Sequence, residues 1–106
     1  MASKQAIKNK DGTRKYKVAE SSSRKGDFAE YYAVTWLWDN GYEVFQNSGC
    51  NGPVDIVAIK EGEVTLIDVK SGRYSFGRTQ EQKDMGVVFL SFEPSTRKLR
   101  WVDHKE

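Results

Sequence analysis

The chain has a single cysteine, Cys50, and a single histidine, His104. One cysteine forms no internal disulfide, so a reducing, cytoplasmic setting is the default. Cys50 lies beside Asn51 and Gly52 in a loop, with no base identifiable near it, and is not read as a nucleophile. His104 is alone near the end of the sequence and is read as a surface residue. Long apolar runs are missing as well. None approaches the ~20 residues of a membrane span, and no apolar signal region follows the start. Internal repeats and low-complexity tracts are absent. Net charge is small, at +2. What remains is an ordinary soluble composition, 38% apolar and 30% charged, over 106 residues, which suits one domain with a modest core.

The small net charge hides an uneven distribution. Residues 1–25 hold eight Lys or Arg against Asp11 and Glu20, while residues 26–106 hold nine against thirteen acidic residues. A basic arm on a mildly acidic body fits a polyanion partner, because each Lys or Arg that neutralises a phosphate releases counterions. A solvated tail that aids solubility is the competing reading. Residues 1–22 show no sustained period and few large apolar residues, so they read as a flexible basic arm with room for a short strand at "RKYKVA". Residues 23–106 read as a single folded domain.

Along that domain, Phe28, Ala29, Tyr32, Ala33, Trp36 and Leu37 recur at helical spacing between a serine cap and Gly41. Glu30 falls on the edge of this stripe, where the helix meets what it packs on. Trp38 lies to one side and is a candidate dimer contact. "YEVFQN" alternates as a strand and "SGCNGP" is a loop. "VDIVAIK" and "EVTLIDVK" read as strands joined by a tight "EG" hairpin. "TQEQKDMG" reads as a short helix, with Thr79 and Gln82 in capping-box spacing and Gly86 as the stop. "VVFLSF" and "LRWVD" are two more strands. The order is helix, three strands, helix, two strands: a sheet with helices covering it.

Both hairpin strands carry charge where burial should exclude it. Asp55 shares a face with Val57 and Ile59, and Asp68 and Lys70 share one with Val64 and Leu66. Unpaired carboxylates there are costly, so each must be paired, hydrogen-bonded or metal-bound. Asp55 lies five residues before Lys60, and Asp68 five after Glu63, so the hairpin brings both to the same end. Two hard oxygen ligands suit Mg²⁺, which keeps waters and takes few protein carboxylates. A lysine two residues on can hold or help deprotonate a water. Glu30 is a candidate third carboxylate. The alternative is a rim ion pair on a sheet, with Glu30 an ordinary helix carboxylate.

This set resembles the PD-(D/E)xK nuclease superfamily: Glu30 in the first helix, Pro53-Val54-Asp55 opening one strand, Asp68-Val69-Lys70 ending the next. Val54 separates Pro53 from Asp55, a spacing the superfamily tolerates. Of the three [DE]-x-K triplets in the chain, only this one follows a β-rich apolar run with a partner aspartate in the preceding strand. Residues 26–72 look particularly like the start of archaeal Holliday junction resolvases, phage resolvase-like proteins and Mrr-type restriction nucleases. The resemblance implies a restriction-endonuclease-like α/β fold, a mixed sheet flanked by helices. It implies a metal-dependent endonuclease, resolvase-like and acting on branched DNA. Catalytic residues would be Glu30, Asp55, Asp68 and Lys70. Asp55, Asp68 and the Val69 carbonyl would bind Mg²⁺, with Mn²⁺ as a substitute, and Glu30 would act at a second site or through water. Lys70 would position the water, leaving a 5′-phosphate and a 3′-hydroxyl. A homodimer follows, since two opposed cuts need two sites.

DNA contact is expected from Lys15 and Lys17 in the arm and from Arg24, Lys25, Arg73 and Arg78. Tyr74 and Phe76 either stack on an opened junction or, as the plainer reading, pack. Gln80 and Gln82 are candidates for support of the active site, against simple capping by Gln82. Two other readings stay open: a nuclease for flaps, nicks or a restriction target, and a nucleic-acid-binding protein on a nuclease-like fold. The source is undecided; a phage-encoded protein would act in the host cytoplasm.

Overall fold

The computed structural model describes the backbone of residues 6–8 and 14–16, and residues 21–49, 51–72 and 77–104. Strands β1 (Ala6–Lys8) and β2 (Arg14–Tyr16) pair with each other as an antiparallel two-stranded unit. Helix α1 (Ser22–Asp39) follows. Strands β3 (Glu43–Gln46), β4 (Ile56–Lys60) and β5 (Glu63–Ser71) form an antiparallel meander. Helix α2 (Gln80–Met85) connects β5 to β6 (Val88–Glu93), which lies parallel to it, and β7 (Lys98–Trp101) closes the sheet antiparallel to β6. The sheet order is β3-β4-β5-β6-β7. From residue 21 onward this is the element order that the periodicity predicts.

Local chemistry sets the boundaries. The Ser21 side chain accepts the Arg24 N–H and starts α1. At the other end Lys60 Nζ donates to the Asn40 carbonyl at 2.7 Å, a cation at the negative pole of the helix. The β4–β5 turn has positive φ at Glu61 (53°) and Gly62 (79°), which matches the right-handed twist of the strands it joins. Thr79 and Gln82 form the complete capping box of α2, and Gly86 ends it in the left-handed conformation.

One face of the sheet holds the core. Ala33 and Leu37 of α1 bury against Ile56, Ala58, Ile67 and Leu90, with Val34, Trp36, Val69 and Leu99 around them. Ala29 and Ala33 are small, so the helix lies close over the sheet. Trp36 packs inward against Trp101, while Trp38 is 65% exposed, as their positions on the helix suggest. Truncating one of the buried aliphatic side chains to alanine costs about 2–5 kcal/mol in such a core. The alternation of β5 that puts Ile67 and Val69 on this face puts Asp68 and Lys70 on the other.

Candidate active site

The hairpin register decides where the charges meet. Ile56 pairs with Ile67, so Asp55 and Asp68 are the next residues on each strand. Asp55 sits just ahead of β4 rather than inside it. Its N–H donates to the Ile67 carbonyl at 2.8 Å, and its Oδ2 accepts the Val69 N–H at 2.8 Å. The side chain thus takes over a backbone N–H where the strand leaves the ladder. That satisfies a donor that would otherwise be orphaned at the sheet end.

Asp68 Oδ2 is held from two sides. Lys70 Nζ lies 3.2 Å away, and Gln82 Nε2 donates at 2.7 Å. Gln82 is 5% exposed. Its Oε1 accepts the Thr79 N–H at 3.0 Å, which turns its Nε2 toward both Asp68 and the Pro53 carbonyl, 3.0 Å away. One amide therefore caps α2, grips one carboxylate and pins the loop that delivers the other. The capping bond and the bond to Asp68, alternatives in the sequence reading, are made by the same amide. Gln80 does not join the site; its Nε2 donates to Asp84 on the surface.

Asp55 is pushed up to about 7. Burial is the main cause, followed by the Asp68 carboxyl within hydrogen-bonding reach; the Val69 N–H opposes, and the charges of Asp68 and Glu30 add to the rise. Glu30 is near enough to be felt at Asp55, but its Oε1 accepts a hydrogen bond from Gln46 at 3.3 Å. Among the described residues no group of three or more His, Cys, Asp or Glu side chains is placed to hold a metal ion, so Glu30 does not join Asp55 and Asp68 as a third ligand here. The donor set nevertheless fits a hard cation. Two carboxylates crowd one another at one sheet end, a pair of hard oxygen donors that suits a cation needing few protein ligands.

Asn47 escaped the sequence reading. Its N–H donates to the Asp55 carbonyl, its Nδ2 to the Asn51 and Val54 carbonyls at 2.8 and 2.9 Å, and its Oδ1 accepts the Gly49 N–H. It braces the loop ahead of Asp55 from within. The only signal was an Asn at the start of a Gly-rich loop, which suits a turn as well. His104, expected at the surface, is half-buried and accepts the Phe89 N–H. Arg24 is exposed and Lys25 half-buried in the first turn of α1. Arg78 donates to the Val87 carbonyl at 3.1 Å. Lys17, Cys50, Arg73, Tyr74 and Phe76 lie outside the described residues, as does the side chain of Lys15.

No helix among the described residues is long and apolar enough to cross a membrane. No curated protein matches the sequence. Among solved structures, the bacterial homing endonuclease I-Ssp6803I is similar with a TM-score of 0.55 at 21% identity. The likeness covers 71% of this chain and 59% of the endonuclease, so the chain spans less than two thirds of that protein, and at this identity it concerns the fold. The fold is thus the restriction-endonuclease-like α/β architecture expected. The family model for archaeal Holliday junction resolvases matches residues 21–84. That segment is more than half of the chain and contains Glu30, Asp55, Asp68, Lys70 and Gln82, and by it the protein belongs to the archaeal Holliday junction resolvase family.

Proposed function

We propose that the protein is a metal-dependent endodeoxyribonuclease that cuts branched DNA, with four-way junctions as its substrate class. One observation carries the reading: on the segment matched to a resolvase family, Asp55 and Asp68 meet at one sheet end, with Lys70 3.2 Å from Asp68. Asp55, Asp68 and the Val69 carbonyl would hold Mg²⁺, or Mn²⁺ in its place, and Glu30 would assist through water or at a second site. Bound there, such a cation polarises a phosphoryl oxygen and lowers the pKa of water. Asp55 gives up its proton before it ligates. Lys70, tethered to Asp68, orients the attacking water in line with the phosphorus. Gln82 keeps the Asp68 carboxylate and the Pro53–Asp55 loop in fixed relation. The basic segment ahead of α1, with Lys15 and Lys17, and Arg24, Lys25, Arg73 and Arg78 contact phosphates. Two copies act as a homodimer, because two opposed cuts need two sites. Residues 23–106 are the nuclease domain, and the setting is the cytoplasm.

The test incubates labelled four-way junction, flap, linear duplex and single-stranded DNA with the protein and with Asp68→Ala, in Mg²⁺ or EDTA. Paired symmetric cuts in the junction alone, lost in EDTA and in the variant, are expected. Cutting of every substrate keeps the chemistry and overturns the structural specificity. Tight binding without cutting in Mg²⁺ or Mn²⁺ overturns the enzyme reading in favour of a binding module.

A further inference from the structure

We propose that His104 is a positioning residue for Lys70, acting through Phe89. The inference rests on Lys70 having the role given above. Phe89 of β6 stands in register with Asp68 of β5 and is 1% exposed. Lys70 Nζ lies over its ring, 5.1 Å from the centroid. The ring is therefore the floor of the lysine, while Asp68 is its tether. A four-carbon side chain held at one point by a carboxylate still sweeps an arc; a fixed aromatic surface beside it narrows that arc.

What fixes Phe89 is the segment after β7. Val102 N–H donates to the Phe89 carbonyl at 3.0 Å, and the Phe89 N–H donates to His104 Nε2 at 3.0 Å. The imidazole meets the Phe89 ring edge-on, with centroids 5.1 Å apart and planes at 81°. The arrangement repeats the device at Asp55. At this end of the sheet two strands depart, and each time a side chain accepts the ladder N–H that the departing backbone no longer serves: Asp55 for Val69, His104 for Phe89. The two bonds bracket Asp68 and Lys70 from the strands on either side.

The experiment compares His104→Ala, His104→Gln, Phe89→Leu and Lys70→Ala in single-turnover cleavage of a four-way junction at saturating Mn²⁺. Junction Kd, Mn²⁺ affinity and Tm are measured alongside. His104→Ala is expected to slow cleavage roughly 10- to 100-fold, the usual effect of a small misplacement at a reacting centre. Mn²⁺ affinity and junction Kd should hold, because Asp55, Asp68 and the basic residues are untouched. His104→Gln, whose Oε1 accepts the same N–H, should recover most of the rate, and Phe89→Leu, which keeps the backbone bonds but removes the ring face, should not. Wild-type cleavage by His104→Ala beside an inactive Lys70→Ala overturns the inference and leaves the function standing. So does His104→Gln falling as far as His104→Ala with an equal drop in Tm, which would make His104 a fold residue only. Wild-type cleavage by Lys70→Ala overturns the role of Lys70, and this inference with it.

Discussion

At the scale of single residues, Asp55 is pulled in two directions. As acceptor of the Val69 N–H it favours the carboxylate; burial and Asp68 favour the acid, and they win, bringing it to about 7. Folded, Asp55 holds its proton more tightly than the unfolded chain does, where it titrates near its ordinary 3.8. The protonated form therefore favours the fold. That contribution is complete below the unfolded value and is lost as pH rises through about 7. In chelator, Tm is expected to fall from about pH 5 to about pH 8 more in the wild type than in Asp55→Asn, and Mg²⁺ at the upper pH should restore it. Equal slopes in the two proteins would show that Asp55 is not the group responsible. Asp55, Asp68 and Lys70 could be singled out in the sequence because strand alternation places charge against apolar neighbours. How far one carboxyl is shifted depends on burial and on its distance to another, and neither is encoded locally.

At the scale of elements, helix α2 is six residues long and too short to be stable on its own. Its capping box was legible from the spacing of Thr79 and Gln82, since both bonds lie within one turn. The other half of Gln82, its grip on Asp68 and Pro53, crosses 14 and 29 residues and depends on how the helix docks. The two halves separate by mutation. Gln82→Ala loses both and should destabilise by about 1–3 kcal/mol, with buried polar partners left open. Gln82→Glu keeps the cap, since glutamate serves equally in the box, but sets a carboxylate against Asp68. With no donor for Asp68 or the Pro53 carbonyl it should melt below the wild type in chelator, and cut junctions far more slowly. Wild-type cutting by Gln82→Glu would make the bond to Asp68 incidental. Asn47 belongs to the same scale: an asparagine ending a strand reads as a turn former, and only the closed loop shows four bonds converging on it.

At the scale of the molecule, the acidic residues that matter gather at one sheet end while the basic excess sits early in the chain, reaching the first turn of α1 at Arg24 and Lys25. A nuclease needs both, since DNA must be drawn toward a site that its own carboxylates would repel. If Arg24 and Lys25 each neutralise a phosphate, alanine at either lowers the slope of log K against log salt by about 0.9 and weakens all DNA shapes alike. Binding titrations of a four-way junction and a linear duplex across a salt series check this. An unchanged slope in both variants would remove these residues from the interface. Val64, 60% exposed, is apolar surface on the face that strand alternation shares with Asp68 and Lys70.

The sequence by itself determined the element order from residue 21 onward, the caps, the hairpin and the pairing of Asp55 with Asp68. All of these follow from period, short-range hydrogen bonds and a two-residue turn, which act over a few residues. Tertiary structure alone decided that Gln82 holds a carboxylate, that Glu30 bonds to Gln46, that Asn47 braces the loop and that His104 closes on Phe89. Each of these joins elements distant in the chain or depends on how a loop closes, so each appears only once the helices and loops have docked on the sheet.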